Sequence, residues 1–340
     1  MDSLPLTRYI VTGQLRREYI ITPKGRVKID IPGGNVLYSA VGLTIWDHGV
    51  GLVGKVGRNF PNEDFELIKK HGFDARGIQI SDQDLDLRLF YGYNDGEHKA
   101  NSNNPVSYFA NLSIEYPKSL LGYSSLGTPD IYQSRKITPY TLSLNDIPED
   151  YWDASAIQIC PMDFQSHQFI MSAARQAHFN HITVDIAAEF LTPPFWDDVP
   201  GMIEGANALL TSEEKLLYLF QGRSKDIWEI AQSLASHNCP FIIIKRGMQG
   251  QYIYDHISNK RWSIPAYQST SADPTGAGDS FNGGFLAGLR TTYDPLEAAL
   301  EGNISASLTV EGSGAFYAMD SLPGLAQARL ENLRGMVRKV

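Results

Sequence analysis

The residues best suited to chemistry lie in the segment 273–281, DPTGAGDSF, a glycine-rich turn that leads into a helical pattern. Small residues at Gly276, Ala277 and Gly278 would let backbone N–H groups approach an anion, and a helix that begins here adds partial positive charge. Asp279 would repel a bound phosphate at this place unless it has a separate task, such as accepting the proton of an attacking hydroxyl. The combination suggests phosphoryl transfer.

A simpler interpretation of this segment is also open. In an isolated Gly-Ala-Gly-Asp, the aspartate often only caps the helix and the glycines only form a tight turn. Beyond the turn, Phe281, Phe285 and Leu289 recur every four residues, which predicts a helix with one buried apolar stripe.

Two other classes of nucleotide-binding protein lack their sequence signals. No Gly-x-x-x-x-Gly-Lys-Ser/Thr occurs, so a P-loop ATPase is not supported. A nucleotide-dependent oxidoreductase would carry Gly-x-Gly-x-x-Gly after its first strand, and the segment 13–18, GQLRRE, does not supply it.

The elements that must position this turn follow an alternating pattern of short apolar strands and longer helices. Alternation of this kind favours an α/β fold with a mostly parallel sheet flanked by helices. The predicted strands are 9–11, 50–53, 157–159, 182–184, 208–210 and 241–244, and the predicted helices are 35–46, 63–71, 166–178, 213–220 and 225–237.

Two early stretches, at about residues 16–31 and 85–99, interrupt the alternation. Each has a turn signal between apolar runs, Pro23-Lys24-Gly25 in the first and Asn94-Asp95-Gly96 in the second, so both are predicted hairpins. They could form a small lid sheet, or they could be surface decoration. Residues 100–153 show weak periodicity and predict little regular structure. No Gly/Ser-rich linker indicates a second domain, so we expect residues 1–340 to form one domain.

The bulk properties describe a globular protein with an acidic surface. With 43% hydrophobic and 20% charged residues, the chain can bury a large core. Its net charge of -9 makes nucleic acid and anionic membranes poor partners. The two cysteines are too few for a disulfide framework, and the N-terminus carries an acid early and no long apolar run. We therefore expect a cytoplasmic protein.

Four ordered segments of the chain resemble the ribokinase-like (PfkB) carbohydrate kinase family. The segment 273–279 is similar to the family's Asp-Thr-x-Gly-Ala-Gly-Asp, and 33–40, GGNVLYSA, resembles its Gly-Gly-Asn-x-x-Asn-x-Ala. Two weaker matches lie between them: 211–214, TSEE, stands where the family has Asn-x-x-Glu, and 245–250, KRGMQG, resembles its Gly-x-x-Gly turn. Together they span almost the whole chain.

The resemblance implies a doubly wound α/β fold with a small β-sheet lid, and ATP and Mg²⁺ as cofactors. It makes Asp279 the catalytic base and the backbone at Gly276, Ala277 and Gly278 the anion hole. It implies that Glu214 binds Mg²⁺ through water. The remaining implied contacts are Glu18, Gly33, Gly34 and Asn35 for the acceptor, and Glu214, Lys245, Gly247, Gly250 and Asn303 for the nucleotide. Arg88, a basic residue of the predicted lid, is a further candidate for contact with the acceptor.

A monovalent cation, K⁺, is a further implication of the resemblance. In many relatives, carbonyl groups at the positions of Asp273 and Thr275 help to bind such a cation beside the anion hole. Pro274 restricts the backbone of this loop and could alter the cation geometry.

The chain departs from the family pattern at the acceptor side. Glu18 stands where the family commonly has Asp, and Tyr38 and Thr211 each replace an Asn. These substitutions leave the identity of the acceptor open. Arg88 could bind a phosphate already on the acceptor, although a solvated lid charge is the commoner role for such a residue.

The function that these residues predict is transfer of the γ-phosphoryl group of ATP to a hydroxyl of a small sugar-like alcohol. A nucleoside or inositol kinase of the same family is the alternative, and so is a catalytically silent binding or regulatory protein on this fold. The lid would exclude water from the reaction. Family behaviour suggests a homodimer formed through the lid.

Overall fold

The computed structural model describes residues 6–93, 99–100, 105–124, 135–177 and 179–340. Fourteen strands lie in this part of the chain: β1 (Tyr9–Thr12), β2 (Arg16–Ile21), β3 (Val27–Gly33), β4 (Val50–Val56), β5 (Asp74–Ile80), β6 (Arg88–Tyr93), β7 (Lys99–Ala100), β8 (Ala156–Ile159), β9 (His181–Val184), β10 (Ala208–Ser212), β11 (Phe241–Lys245), β12 (Gln251–Asp255), β13 (Lys260–Ile264) and β14 (Arg338–Lys339).

The helices follow the strands in the expected alternation. Within the described residues they are α1 (Asn35–Thr44), α2 (Asn62–Lys70), α3 (Pro105–Asn111), α4 (Phe164–Gln176), α5 (Val199–Ile203), α6 (Glu213–Leu219), α7 (Ile227–Ala235), α8 (Ala277–Thr292), α9 (Pro295–Thr309) and α10 (Leu325–Arg334). Short 3₁₀ turns connect several of them.

The main sheet has ten strands in the order β14-β13-β12-β11-β10-β9-β8-β1-β4-β5. The pairs from β11 to β5 are parallel, and β12, β13 and β14 add an antiparallel edge. Chain order starts at β1 and proceeds first to one side and then to the other, which is the doubly wound arrangement. All six predicted strands lie in this sheet, so the predicted fold class is confirmed.

Two apolar layers sandwich the main sheet. Successive strand residues point to opposite faces, so Tyr9 and Val11 enter one core while Ile10 enters the other. The first core contains α1, α8 and α9, and the second contains α4, α6 and α7. The predicted stripe on α8 is confirmed, because Phe281, Phe285 and Leu289 are all buried in the first core.

A separate four-stranded sheet has the order β3-β2-β6-β7. The predicted first hairpin is confirmed as the antiparallel pair β2–β3, and β6 pairs with β7 antiparallel, while the turn at 94–98 lies outside the described residues. Strand β2 pairs with β6 in parallel and joins the two hairpins. We call this sheet the lid.

The expectation of little regular structure over residues 100–153 was partly wrong. Helix α3 and a following 3₁₀ turn cover the outer face of the lid, where Phe109 and Leu120 pack on Tyr19, Ile21 and Phe90. The weak sequence periodicity follows from the shortness of these elements, which present only one or two side chains each to the lid. Among the described residues, no helix combines the length and apolarity needed to span a membrane.

Candidate active site

The glycine-rich turn, residues 274–278, leads directly into α8, and we call it the anion turn. Gly276 precedes the helix in the left-handed region, with φ of 74°. A Cβ at this position would lie 2.1 Å from Cδ1 of Tyr38, so the ring of Tyr38 also requires glycine here. The N–H of Ala277 donates to the carbonyl of Pro274 at 3.3 Å, which closes the turn. The start of α8 adds partial positive charge here, which favours an anion.

Asp279 lies in the first turn of α8, directly after the anion turn, and is half-buried. Its negative charge acts on two residues of the lid, Glu18 on β2 and Tyr93 on β6, and helps to raise the pKa of both. The preceding residues Ala277 and Gly278 line a cavity on the other side. Asp279 therefore lies between the lid and this cavity.

The cavity has a volume of about 210 Å³ and is bounded by the anion turn, the turn after β11, and α9. It brings together Lys245, Gly247, Gly250 and Asn303, which are distant in sequence, with Ala277 and Gly278. Apolar groups complete the wall: Tyr267, Phe281, Ala306 and Val310. A largely apolar cavity with phosphate-binding backbone at one end suits a nucleotide.

Asn303 lies in the cavity wall, but its amide is engaged by the protein. Its Nδ2 donates to Oε1 of Gln251 and to the carbonyl of Pro265, at 2.9 Å each, and its Oδ1 accepts from the N–H of Tyr267 at 2.9 Å. These bonds fix the segment 265–267, which forms one side of the cavity. The contacts in the structure thus give Asn303 the task of shaping the wall.

Lys245, at the end of β11, reaches the first turns of α8. Its Nζ donates to Oδ2 of Asp185 at 3.0 Å, to Oδ1 of Asn282 at 2.8 Å, and to the carbonyl of Gly278 at 3.3 Å. Sequence reasoning missed Asp185, which follows β9 and is 3% exposed. Its position at the carboxyl end of a parallel strand was the available signal.

Asp185 also binds a second lysine. Nζ of Lys215 on α6 lies 3.2 Å from its Oδ1. Burial opposes the charge, but the ammonium groups of Lys215 and Lys245 and the amide of Asn282 hold the pKa of Asp185 below its usual value.

Glu18 on the inner face of the lid is fully buried. Its Oε1 accepts from the N–H of Gly34 at 2.7 Å and its Oε2 from the hydroxyl of Tyr38 at 2.9 Å. A Cβ on Gly33 would lie 2.1 Å from the carboxyl carbon, so this glycine is required where β3 crosses the glutamate. Burial raises the pKa of Glu18 to about 7, and the charges of Asp273 and Asp279 act in the same direction.

Asn35 joins two segments beneath the lid. Its Oδ1 accepts from the N–H of Gln14 at 2.8 Å, and its Nδ2 donates to the carbonyl of Pro161 at 2.7 Å. Because Glu18, Gly34 and Asn35 have these partners inside the protein, their contact with an acceptor stays a prediction.

The structure does not bring Arg88 to this side of the lid, which corrects the expectation of acceptor contact. Arg88 pairs in register with Arg17, one residue out of phase with Glu18, so its side chain lies on the opposite face. There it forms an ion pair with Asp86 at 2.7 Å and donates to the carbonyls of Ser119 and Leu121 at 2.8 and 3.0 Å. Arg88 thereby fixes the segment that follows α3 to the lid.

Asp273 and Thr275 flank Pro274 and are both buried. Oδ1 of Asp273 accepts from the N–H of Thr275 at 2.9 Å, and its Oδ2 accepts from the hydroxyl of Ser313. The hydroxyl of Thr275 hydrogen-bonds that of Tyr93 on the lid at 2.8 Å. The lid is therefore tied directly to the anion turn.

Glu214 lies in the first turn of α6 and is exposed, while its neighbour Glu213 pairs with Arg246 at 3.1 Å. Among the residues that the structure describes, no group of three or more His, Cys, Asp or Glu side chains is arranged to hold a metal ion. A Mg²⁺ ion commonly binds through one or two carboxylates together with substrate phosphates. The role of Glu214 in holding such an ion stays a prediction.

Comparison with known proteins places the chain in a family. A sequence model of the pfkB family carbohydrate kinases matches residues 149–322, just over half of the chain. The cytidine kinase of Thermococcus kodakarensis is 24% identical over 291 residues, which cover 85% of this chain and 90% of that protein.

Solved structures share the fold along nearly the whole chain. A candidate ribokinase II from E. coli, in complex with ATP and Mg²⁺, has a TM-score of 0.69 at 19% identity, covering 96% of this chain and 100% of that one. The nucleoside kinase of Methanocaldococcus jannaschii, an archaeal member of the ribokinase family, has a TM-score of 0.66 at 20% identity, covering 96% and 99%. At these identities the structures establish the fold alone, and the family follows from the sequence match: this chain belongs to the pfkB family of carbohydrate kinases, which are phosphotransferases with an alcohol acceptor.

Proposed function

We propose that this protein transfers the γ-phosphoryl group of ATP to a hydroxyl of a small sugar-like alcohol, with Asp279 as the base. The observation that supports this most strongly is the position of Asp279, between the lid and the cavity that the anion turn borders. An acceptor hydroxyl under the lid and a phosphate on the anion turn would then meet at this carboxylate.

In this proposal the nucleotide occupies the cavity beside Gly247, Gly250 and Asn303. The backbone N–H groups of Gly276, Ala277 and Gly278 would stabilise charge on the transferring phosphoryl group. Bound Mg²⁺ would neutralise the nucleotide phosphates, with Glu214 holding it through water. The likeness to a chain solved with ATP and Mg²⁺ supports this choice of cofactors.

A nucleoside is the second candidate acceptor. It is favoured by the likeness to a cytidine kinase over 85% of the chain and by the structural likeness to a nucleoside kinase. The sugar-like part of a nucleoside would present its hydroxyl to Asp279 in the same way, so both candidates share the chemistry proposed here and differ in what the lid must accommodate.

The proposal has three further parts. K⁺ would bind carbonyl groups at Asp273 and Thr275, where the carboxylate of Asp273 already orders the backbone. Replacing K⁺ with tetramethylammonium should then lower turnover, and equal rates would refute that part.

We also propose that residues 1–340 form one cytoplasmic kinase domain. The exposed edge strand β3 of the lid would pair with the lid of a second copy in a homodimer, and light scattering would test that assembly.

The central experiment measures ADP release with ATP and Mg²⁺ across sugars, polyols, inositols, nucleosides and phosphosugars. Asp279→Asn should lower acceptor-dependent turnover by roughly 10²- to 10⁴-fold, since it removes a general base. Asp197→Asn, an exposed aspartate beside the second core, is the matched control and should retain wild-type turnover. If no acceptor raises ADP release above the Asp279→Asn level while ATP still binds, the protein is a silent binding protein instead.

A further inference from the structure

The carboxylate of Asp185 collects side chains from three separate elements. Lys215 comes from α6, Lys245 from β11 and Asn282 from α8, with distances to the carboxylate oxygens of 3.2, 3.0 and 2.9 Å. Asp185 itself is almost fully buried. A buried carboxylate is costly unless it is paired and hydrogen-bonded, and these three partners supply that compensation.

The position of Lys245 links this cluster to the proposed phosphate site. Each of its three N–H groups has an acceptor, and one of these acceptors is the carbonyl of Gly278 in the anion turn. Its Nζ also lies 3.6 Å from the place where a Cβ on Gly278 would stand, and Lys245 lines the nucleotide cavity. Its ammonium group is therefore held between the cavity and the start of α8.

The charges of the cluster do not cancel. Two ammonium groups share one carboxylate, so the cluster carries a net charge of about +1 when all three groups are ionised. Asp273 and Asp279 place negative charge on the lid side of the same turn. A transferring phosphoryl group needs preorganised positive charge nearby, and the ammonium of Lys245 is the charge that the described contacts fix closest to the anion turn.

We propose that Asp185 is a positioning residue for phosphoryl transfer. It holds the ammonium of Lys245 against the anion turn and the ammonium of Lys215 on the other oxygen of the same carboxylate. This inference rests on the proposed kinase function. Asp185 acts through the lysines, and its removal leaves two ammonium groups without their shared counter-ion. Lys245 would then keep only its contacts with Asn282 and Gly278, and its ammonium would shift from the start of α8.

The test is a double-mutant cycle of Asp185→Asn and Lys245→Met, with kcat and the KM values for ATP and acceptor measured at a temperature where each variant is folded. We expect Asp185→Asn to lower kcat/KM for ATP by about tenfold or more, since it displaces a group that stabilises the transferring phosphoryl. The KM for the acceptor should change less than twofold. The double variant should lose less than the sum of the two single losses, because Asp185→Asn displaces the same ammonium that Lys245→Met removes and only the contribution through Lys215 is additional.

Several variants separate this role from a merely structural one. Asp185→Glu keeps the charge and should recover part of the lost rate, while Lys215→Gln, at a more exposed position, should raise the KM for ATP with little loss of stability. Lys225→Met, an exposed lysine before α7, is the control and should match wild type. If Asp185→Asn does not fold, Lys215→Gln decides the question alone.

The result that overturns the inference is Asp185→Asn with a lower melting temperature but kinetic constants within twofold of wild type. Additive losses in the double variant, or an unchanged KM for ATP in Lys215→Gln, would overturn it as well. Calorimetric titration of each variant with ATP and Mg²⁺ gives the affinity without turnover. Failure of the kinase proposal is distinct, because it appears as absent acceptor-dependent ADP release in the wild-type protein.

Discussion

The hydroxyl of Tyr38 donates a hydrogen bond to Oε2 of Glu18 at 2.9 Å, and both side chains are buried. These are two of the positions at which the chain departs from the pattern of its family, and the structure shows that the two departures are in contact. The ring of Tyr38 also packs on Gly276. One side-chain pair therefore joins the lid, α1 and the anion turn.

This pair predicts a pH-dependent stability. Because burial raises the pKa of Glu18 from 4.5 to about 7, the folded protein retains a proton that the unfolded chain releases between these values. The contribution of Glu18 to stability is thus complete below pH 4.5 and is lost as pH rises through 7. The loss has a slope of at most about 1.4 kcal/mol per pH unit.

Urea unfolding of wild type and Glu18→Gln at pH 5, 6, 7 and 8 measures this effect. The variant cannot ionise at position 18, so its free energy of unfolding should rise relative to that of wild type, by on the order of 1–3 kcal/mol from pH 5 to pH 8. Glu115→Gln, an exposed glutamate, should keep a constant difference from wild type. A constant difference for Glu18→Gln would show that Glu18 titrates normally.

The hydrogen bond between Tyr93 and Thr275 predicts coupling between the lid and the anion turn. Tyr93→Phe and Thr275→Val should each lower the free energy of unfolding by about 1 kcal/mol. Each variant removes the hydrogen bond between the two side chains and leaves the other hydroxyl buried without this partner. The double variant should lose less than the sum of the two. Turnover should fall in Tyr93→Phe and stay unchanged in Tyr317→Phe, whose ring is exposed. Strict additivity would mean that the two hydroxyls do not interact.

The corrected position of Arg88 predicts a loss of stability without a loss of acceptor affinity. Arg88→Met removes the donor to the carbonyls of Ser119 and Leu121, which should cost about 1 kcal/mol in the free energy of unfolding. The KM for the acceptor should stay within twofold of wild type for neutral acceptors and phosphosugars alike. A selective rise of the KM for phosphosugars would return Arg88 to the acceptor site.

The sequence alone was sufficient to identify candidate site residues that belong to a local motif. Asp279 and the anion turn form a continuous motif, and Gly247 and Gly250 follow a recognisable strand, so both segments could be identified from the sequence. In the structure, Gly247 and Gly250 line one cavity together with Ala277 and Gly278. Strand and helix alternation likewise predicted the main sheet, because buried parallel strands and amphipathic helices differ in hydrophobic period.

Residues defined by long-range geometry could not be predicted in the same way. Asp185 acquires its environment from residues 30, 60 and 97 positions away. Its position after a predicted parallel strand marks it as a candidate, but no local pattern reveals those partners. Arg88 was expected to contact the acceptor, but the sequence does not show which face of the lid it occupies. A shift of one residue in strand phase reverses the direction of every side chain, and the register with β2 fixes that phase.

Gly276 offers a test of how closely the anion turn is fitted to Tyr38. Gly276→Ala meets two obstacles, a left-handed backbone with φ of 74° and a Cβ 2.1 Å from the Tyr38 ring. Gly222→Ala, in the loop between α6 and α7, is a matched control, because Gly222 has φ of 79° and nothing within 4 Å of its Cβ position. Backbone strain of roughly 1–2 kcal/mol is common to both variants.

Overpacking against Tyr38 should therefore cost Gly276→Ala a further 1–3 kcal/mol or so in the free energy of unfolding, relative to Gly222→Ala. It should also abolish most turnover, because displacement of the turn would move the N–H groups that we propose bind the phosphate. Adding Tyr38→Asn makes room for the new methyl group, so the double variant should lose less stability than the sum of the single losses. Equal stability and equal turnover in Gly276→Ala and Gly222→Ala would mean that Tyr38 yields freely, and that it does not hold the anion turn in place.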